Sequence, residues 1–130
     1  MIIKECTLDD GLSLIQLANA ASDELNLAPV ESNRIFDFLT ITNDEPMIGV
    51  VLLAEIEGRP AGCLGATQTA NFINNDLEVM AFHLYILPEY RGKGILPKLV
   101  EKFELWAYNK RYQRIRLTFP STMDRDWETP

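Results

Sequence analysis

The 130-residue sequence has two cysteines, one histidine and no apolar run long enough to cross a bilayer. Its longest apolar stretch, Ile48 to Ala54, is interrupted by Gly49 and falls far short of the roughly 20 residues that a spanning helix needs. The N-terminus, Met1 to Cys6, has neither a basic leader nor a long apolar core, so no secretory signal is visible and a cytoplasmic protein is expected. Cys6 and Cys63 each sit in a strand-like apolar run and read as buried free thiols rather than metal ligands. With His83 the sole histidine and no acidic or thiol cluster beside it, no metal site is expected. Basic residues are also scarce: 12 Lys and Arg against 19 Asp and Glu leave a net charge of −7, which argues against a dedicated nucleic-acid binder.

The charge is unevenly spread. Residues 91 to 116 hold eight Lys and Arg against Glu101 and Glu104, so this segment carries +6 and the rest of the chain −13. Such a segment is either a solvated helix face or the footprint of a compact polyanion such as a phosphorylated cofactor. At 47% apolar and 24% charged residues the composition is that of an ordinary globular domain. One domain over residues 1–119 with a polar tail over 120–130 is expected.

Periodicity gives the elements. Ile2 to Cys6 reads as a strand, and Thr7 followed by Asp10 offers a capping box that starts a helix near Leu8. Leu8, Leu12, Ile15, Ala21 and Leu25, with Leu17 or Ala18, give that helix its apolar face, leaving Ser22, Asp23 and Glu24 toward water. Val30 to Leu39 predicts a second, shorter helix, with Ile35, Phe36 and Leu39 inward, and the cluster Asn43 to Pro46 predicts a turn. Val50 to Ile56 and Ala61 to Thr69 read as a hairpin about Glu57-Gly58, with Gly62 and Gly65 marking a bulge or a close approach. A polar loop over 70–76 leads to Leu77–Leu87, a buried central strand, then to a helix from Gly94 to about Tyr108 with Ile95, Leu99, Phe103, Trp106 and Ala107 on its apolar face. A half-buried strand over Arg114–Phe119 follows. The order β-α-α-β-β-β-α-β describes an α/β (α+β) domain, a mixed sheet with helices packed on it.

The informative segment is Leu84-Tyr85-Ile86-Leu87-Pro88-Glu89-Tyr90-Arg91-Gly92-Lys93-Gly94-Ile95, a strand that runs through a glycine-rich loop into a helix. The first turn of a helix leaves backbone N–H groups unpaired at the positive end of the macrodipole, which suits a phosphate, and Gly92 and Gly94 let the backbone come close to it. This segment resembles the acetyl-CoA-binding motif of the GCN5-related N-acetyltransferases (GNAT family), Arg/Gln-x-x-Gly-x-Gly/Ala, matched here by Arg91-x-x-Gly94 with Leu96 at the final position. The lead-in Ile86 to Tyr90 and the element order from Ile2 to Phe119 resemble the family as well.

The resemblance implies a GNAT-like, mostly antiparallel sheet with helices on both faces. It further implies acetyl-CoA as cosubstrate, held by backbone amides of Arg91, Gly92, Lys93, Gly94, Ile95 and Leu96, with Leu84 and Ile86 pairing through main-chain atoms with the pantetheine arm. It assigns Glu78 the removal of a proton from an acceptor amine, whose bland reading is a solvated strand residue. Simple alternation sets His83 on the opposite strand face from Glu78 unless a bulge intervenes, and it reads as structural. Tyr85, Tyr90, Tyr108 and Tyr112 read as packing, with no general acid assigned. Asp23, Glu24, Glu31 and Asp37 either attract a cationic amine of a small molecule or a protein, or form a solvated acidic face. The strand Ile115 to Phe119 would lie at an open sheet edge, so a second copy, the Trp127 tail or a partner protein is expected to cover it. The functional expectation is an N-acetyltransferase acting on a primary amine. The alternative is a catalytically degenerate module of the same fold, structural or interaction-bearing, a viral source included.

Overall fold

The fold was established from a computed structural model that describes residues 1–69, 73 and 76–118. Strands β1 (Ile2–Glu5), β2 (Gly49–Ile56), β3 (Arg59–Gln68), β4 (Glu78–Ile86) and β5 (Arg114–Leu117) form one sheet in the order β1-β2-β3-β4-β5. The first three pairings are antiparallel and β4 with β5 is parallel. Every residue from Gly49 to Ala54 is buried, so this strand needs cover on both faces. Helices α1 (Gly11–Glu24) and α2 (Ser32–Asp44) lie on one side and α3 (Ile95–Asn109) on the other. Phe103 and Leu99 of α3 are fully enclosed, each contributing roughly 1.5–3 kcal/mol through its burial.

The capping box at Thr7 forms as the sequence predicts. The Asp10 carboxylate accepts the Thr7 N–H at 2.9 Å and Thr7 Oγ1 accepts the Asp9 N–H at 3.3 Å. It first closes a 3-10 turn over Leu8–Asp10, and the α-helix starts at Gly11. Its inner face keeps Leu17, as expected, but differs elsewhere: Leu14 is buried, whereas Leu8 and Leu12 are 47% and 76% exposed. Ser22, expected toward water, is buried as well, its hydroxyl donating to the Ala18 carbonyl.

Helix α2 extends into the predicted turn as far as Asp44, and a turn follows over residues 46–48. The turn-forming side chains there are satisfied inside the helix: Thr42 donates to the Leu39 carbonyl, and the Asn43 amide donates to the carbonyls of Leu39 and Cys6. The β2–β3 turn is as expected, Glu57 and Gly58 both adopting positive φ (53° and 76°) as a two-residue hairpin requires. Strand β5 is exposed along all four residues rather than half-buried, because it is an edge strand paired only with the first half of β4. Phe119, Trp127 and most of the 70–76 loop lie outside the described residues.

Helices α1 and α2 meet at Gly11, where an added Cβ would run into the ring of Phe36. Gly11→Ala is therefore expected to lower stability by ~1 kcal/mol or more, measured by urea denaturation, because the ring must leave its place. An unchanged midpoint would show that Phe36 repacks without cost.

Candidate functional site

The register between β3 and β4 slips once. Gly65 pairs with His83 and Ala66 with Ala81, so Phe82 is an extra residue and β4 is bulged there. The bulge reverses the side-chain phase of everything after it. Glu78 and Met80 before it and His83 and Tyr85 after it therefore share the α1/α2 face, correcting the opposite-face placement that alternation gives for His83. Phe82 packs edge-on against Phe38 of α2 at 6.3 Å between centroids and lies 4.3 Å from the His83 ring.

Main-chain direction changes with it. The Leu87 N–H donates to the Ala61 carbonyl of β3, so by alternation Leu84 and Ile86 turn their peptide groups away from β3. Strand β5 pairs with β4 only from Glu78 to Ala81, with the Thr118 N–H adding a last bond to the Ala81 carbonyl. Leu84 and Ile86 lie beyond that pairing, on an edge of β4 that no described strand covers.

That edge leads through a 3-10 turn over Pro88–Tyr90 into the loop before α3. Gly92 and Gly94 take φ of 74° and 84°, the left-handed conformation that favours glycine, and Gly94 caps the helix with open space where a side chain would stand. The N–H groups of Gly92, Gly94, Ile95 and Leu96 find no acceptor among the described residues, whereas the Arg91 N–H, expected in the cradle, donates to the Pro88 carbonyl at 3.3 Å. Leu96, at the position where the motif has a small residue, turns its side chain into the core and leaves its backbone to the loop. A Cβ-free cradle, unpaired N–H groups and the helix dipole together fit a pyrophosphate. Lys93, near the Tyr90 ring at 5.8 Å, and Lys98 are exposed beside it.

The other cations of the basic segment are partly committed within the protein. Arg91 makes a two-pronged pair with Glu24 at the end of α1, both contacts at 2.9 Å, and its Nε donates to the Ile86 carbonyl at 2.9 Å. Tyr85 donates its hydroxyl to the same Glu24 carboxylate at 2.8 Å, and the guanidinium lies 5.5 Å from the Tyr85 ring centre. The Arg91 hydrogen bonds outweigh burial and hold the Glu24 carboxyl below its ordinary 4.5. Burial first, then the bond to Glu24, pushes the Tyr85 hydroxyl up, so it stays protonated. The Arg91 side chain thus fastens the loop to α1. Arg114 pairs with Asp76, and Arg116 with Glu78 at 2.7 Å.

Glu78 is buried rather than solvated, so the bland expectation for it fails. Burial also lowers the His83 imidazole below its ordinary 6.5 and pushes the Cys63 thiol up to about 12. Tyr112 is a packing residue, stacked on Trp106 at 5.6 Å with its hydroxyl donating to the Met47 carbonyl. Tyr108 is 79% exposed. Sequence reasoning missed the Glu24–Arg91–Tyr85 cluster, since nothing in the spacing of residues 24, 85 and 91 links them.

Removing the Glu24 charge is expected to destabilise the protein by ~1–2 kcal/mol, because Arg91 loses its partner where its side chain is only 11% exposed. The sign follows from the lowered pKa: the charged clamp is fully present above 4.5 and is lost as pH falls through the folded-state value. Thermal melts of the wild type and Glu24→Gln should therefore differ most near neutral pH and converge in acid. A difference independent of pH would contradict the ion pair.

A model of the acetyltransferase (GNAT) family matches residues 14–125. Solved structures agree in fold. A ribosomal-protein-alanine N-acetyltransferase from Brucella melitensis biovar Abortus 2308 is 17% identical, with a TM-score of 0.76 over 96% of this chain and 84% of that one. An aminoglycoside acetyltransferase from an uncultured soil metagenomic sample, solved with sisomicin, is also 17% identical, with a TM-score of 0.76 over 95% of this chain and 80% of that one. An integron cassette protein from the mobile metagenome of Cole Harbour Salt Marsh is 14% identical and reaches 0.81 over 95% and 80%. No curated protein matches the sequence. The family match over most of the chain, on a bulged β4 that feeds a glycine loop and a helix, makes this protein a member of the GNAT acetyltransferase family.

Proposed function

We propose that the protein is an acetyl-CoA-dependent N-acetyltransferase acting on a primary amine of a small molecule or a protein. The observation that carries the reading is the main-chain edge of β4 at Leu84 and Ile86, which no described strand covers, continuous with the loop before α3, whose N–H groups find no acceptor among the described residues. Acetyl-CoA supplies an activated thioester: the amine gains a C–N bond to the acetyl carbon, the C–S bond breaks, and CoA leaves as its thiol.

The chain's own residues have separable parts in this. The Gly92, Gly94, Ile95 and Leu96 amides would hold the pyrophosphate, with Lys93 and Lys98 adding charge beside it. Leu84 would offer its peptide group to the pantetheine arm. At Ile86 the carbonyl already accepts from Arg91, so its N–H is the group to offer. Glu78, its carboxylate fixed by Arg116, would take the ammonium's proton directly or through water. The inward turn of the Leu96 side chain removes one ground for reading the domain as degenerate. The exposure of Ile115 and Leu117 (38% and 37%) supports a second copy or a partner at the β5 edge.

Calorimetric titration with acetyl-CoA tests the reading. The wild type is expected to bind, and Gly94→Trp to lose at least roughly tenfold in affinity, since it combines left-handed strain with a bulky group before the loop. Glu78→Gln is expected to lower kcat by about 100-fold once an acceptor is in hand. No binding by folded wild type at millimolar cofactor would sink the enzyme reading.

A further inference from the structure

Between α1, α2 and the sheet face that carries Cys63, His83 and Tyr85 lies a cavity of about 620 Å3, within the size range of small-molecule sites. It adjoins the free stretch of β4, because Phe82, His83, Leu84 and Tyr85 all contribute to its wall. Aliphatic and aromatic side chains make up most of the lining, and no carboxylate is among the described residues that line it. The one formally charged side chain there is cationic, Arg34, and it is paired outward with Glu31 at 3.5 Å. The acidic residues that the sequence offers as an amine attractor lie elsewhere. Glu24 is taken up by Arg91 and Tyr85, while Asp23 and Asp37 are exposed and outside the lining.

We infer that the acceptor is a primary monoamine carried on an apolar aliphatic or aromatic body, the body seated in this cavity and the nitrogen leaving it along β4, on the face that His83 shares with Glu78. The inference rests on the acetyltransferase reading. A polycation would have to shed the water of several ammonium groups with no carboxylate to receive them, next to Arg34. An apolar body gains from the burial instead. A single amine entering low-polarity surroundings also loses proton affinity, which favours the free base that attacks a thioester. His83, at the exposed rim of the cavity, offers the nitrogen a polar neighbour.

The test titrates the intact protein calorimetrically with 2-phenylethylamine, ethanolamine and spermidine, and separately with acetyl-CoA. The expected result is that 2-phenylethylamine binds at least about tenfold more tightly than the other two, through the burial of its ring. Ala21→Phe, which fills the cavity from α1, should abolish that binding, with thermal melts reporting whether the variant folds. Equal or tighter binding of spermidine or ethanolamine to the wild type would overturn the inference without any variant. So would 2-phenylethylamine binding that survives in folded Ala21→Phe. Acetyl-CoA binding together with acetylation of ethanolamine or spermidine, but not of 2-phenylethylamine, would remove the acceptor assignment alone. Failure of the wild type to bind acetyl-CoA would instead remove the acetyltransferase reading and the acceptor assignment with it.

Discussion

One extra residue in one strand organises the candidate site. Without the bulge at Phe82, β4 would stay in phase with β3 along its whole length. His83 and Tyr85 would then face α3, and the peptide groups of Leu84 and Ile86 would be tied into the β3 ladder. With the bulge, the same strand closes the sheet in its first half and opens an edge in its second. Two properties that a transfer site needs together, a cavity wall of side chains and a main-chain edge, come from that single irregularity.

A second constraint keeps the edge and the loop in register. Arg91 joins three parts of the chain: the Ile86 carbonyl at the end of β4, Glu24 at the end of α1 and the face of Tyr85. The guanidinium suits this position because its planar fork meets a carboxylate with two hydrogen bonds while the third nitrogen reaches a carbonyl. The consequence is a division of labour in the basic segment. The Arg91 side chain is committed to Glu24 and the Ile86 carbonyl, which leaves the backbone N–H groups and the exposed Lys93 and Lys98 as the groups available before α3.

The sequence made the elements legible where local chemistry decides them. Thr7 and Asp10 announced a helix start, Glu57-Gly58 a hairpin, and Ile95, Leu99, Phe103 and Trp106 a buried helix face. It misled where tertiary contacts override local preference. Asn43 reads as a turn residue until the carbonyls of Leu39 and Cys6 are available to its amide, and Leu12 reads as core although the buried face of α1 runs through Leu14 and Leu17. The glycine loop was legible because glycine at a left-handed position is a local requirement. The phase of His83 was not, because a bulge is a property of two strands rather than of one. The cavity was beyond reach for the same reason, being assembled from two helices, the loop between them and three strands.

The central claim is that the bulged edge of β4 and the loop before α3 form one continuous acetyl-CoA site, and amide chemical shifts test it most directly. Titrating 15N-labelled protein with acetyl-CoA is expected to move the amides of Leu84, Ile86, Gly92, Gly94, Ile95 and Leu96 most, as a contiguous set. Amides of β1 and of the first turn of α1 should stay in place. Saturable shifts confined to other surfaces, or none at millimolar cofactor, would contradict the account.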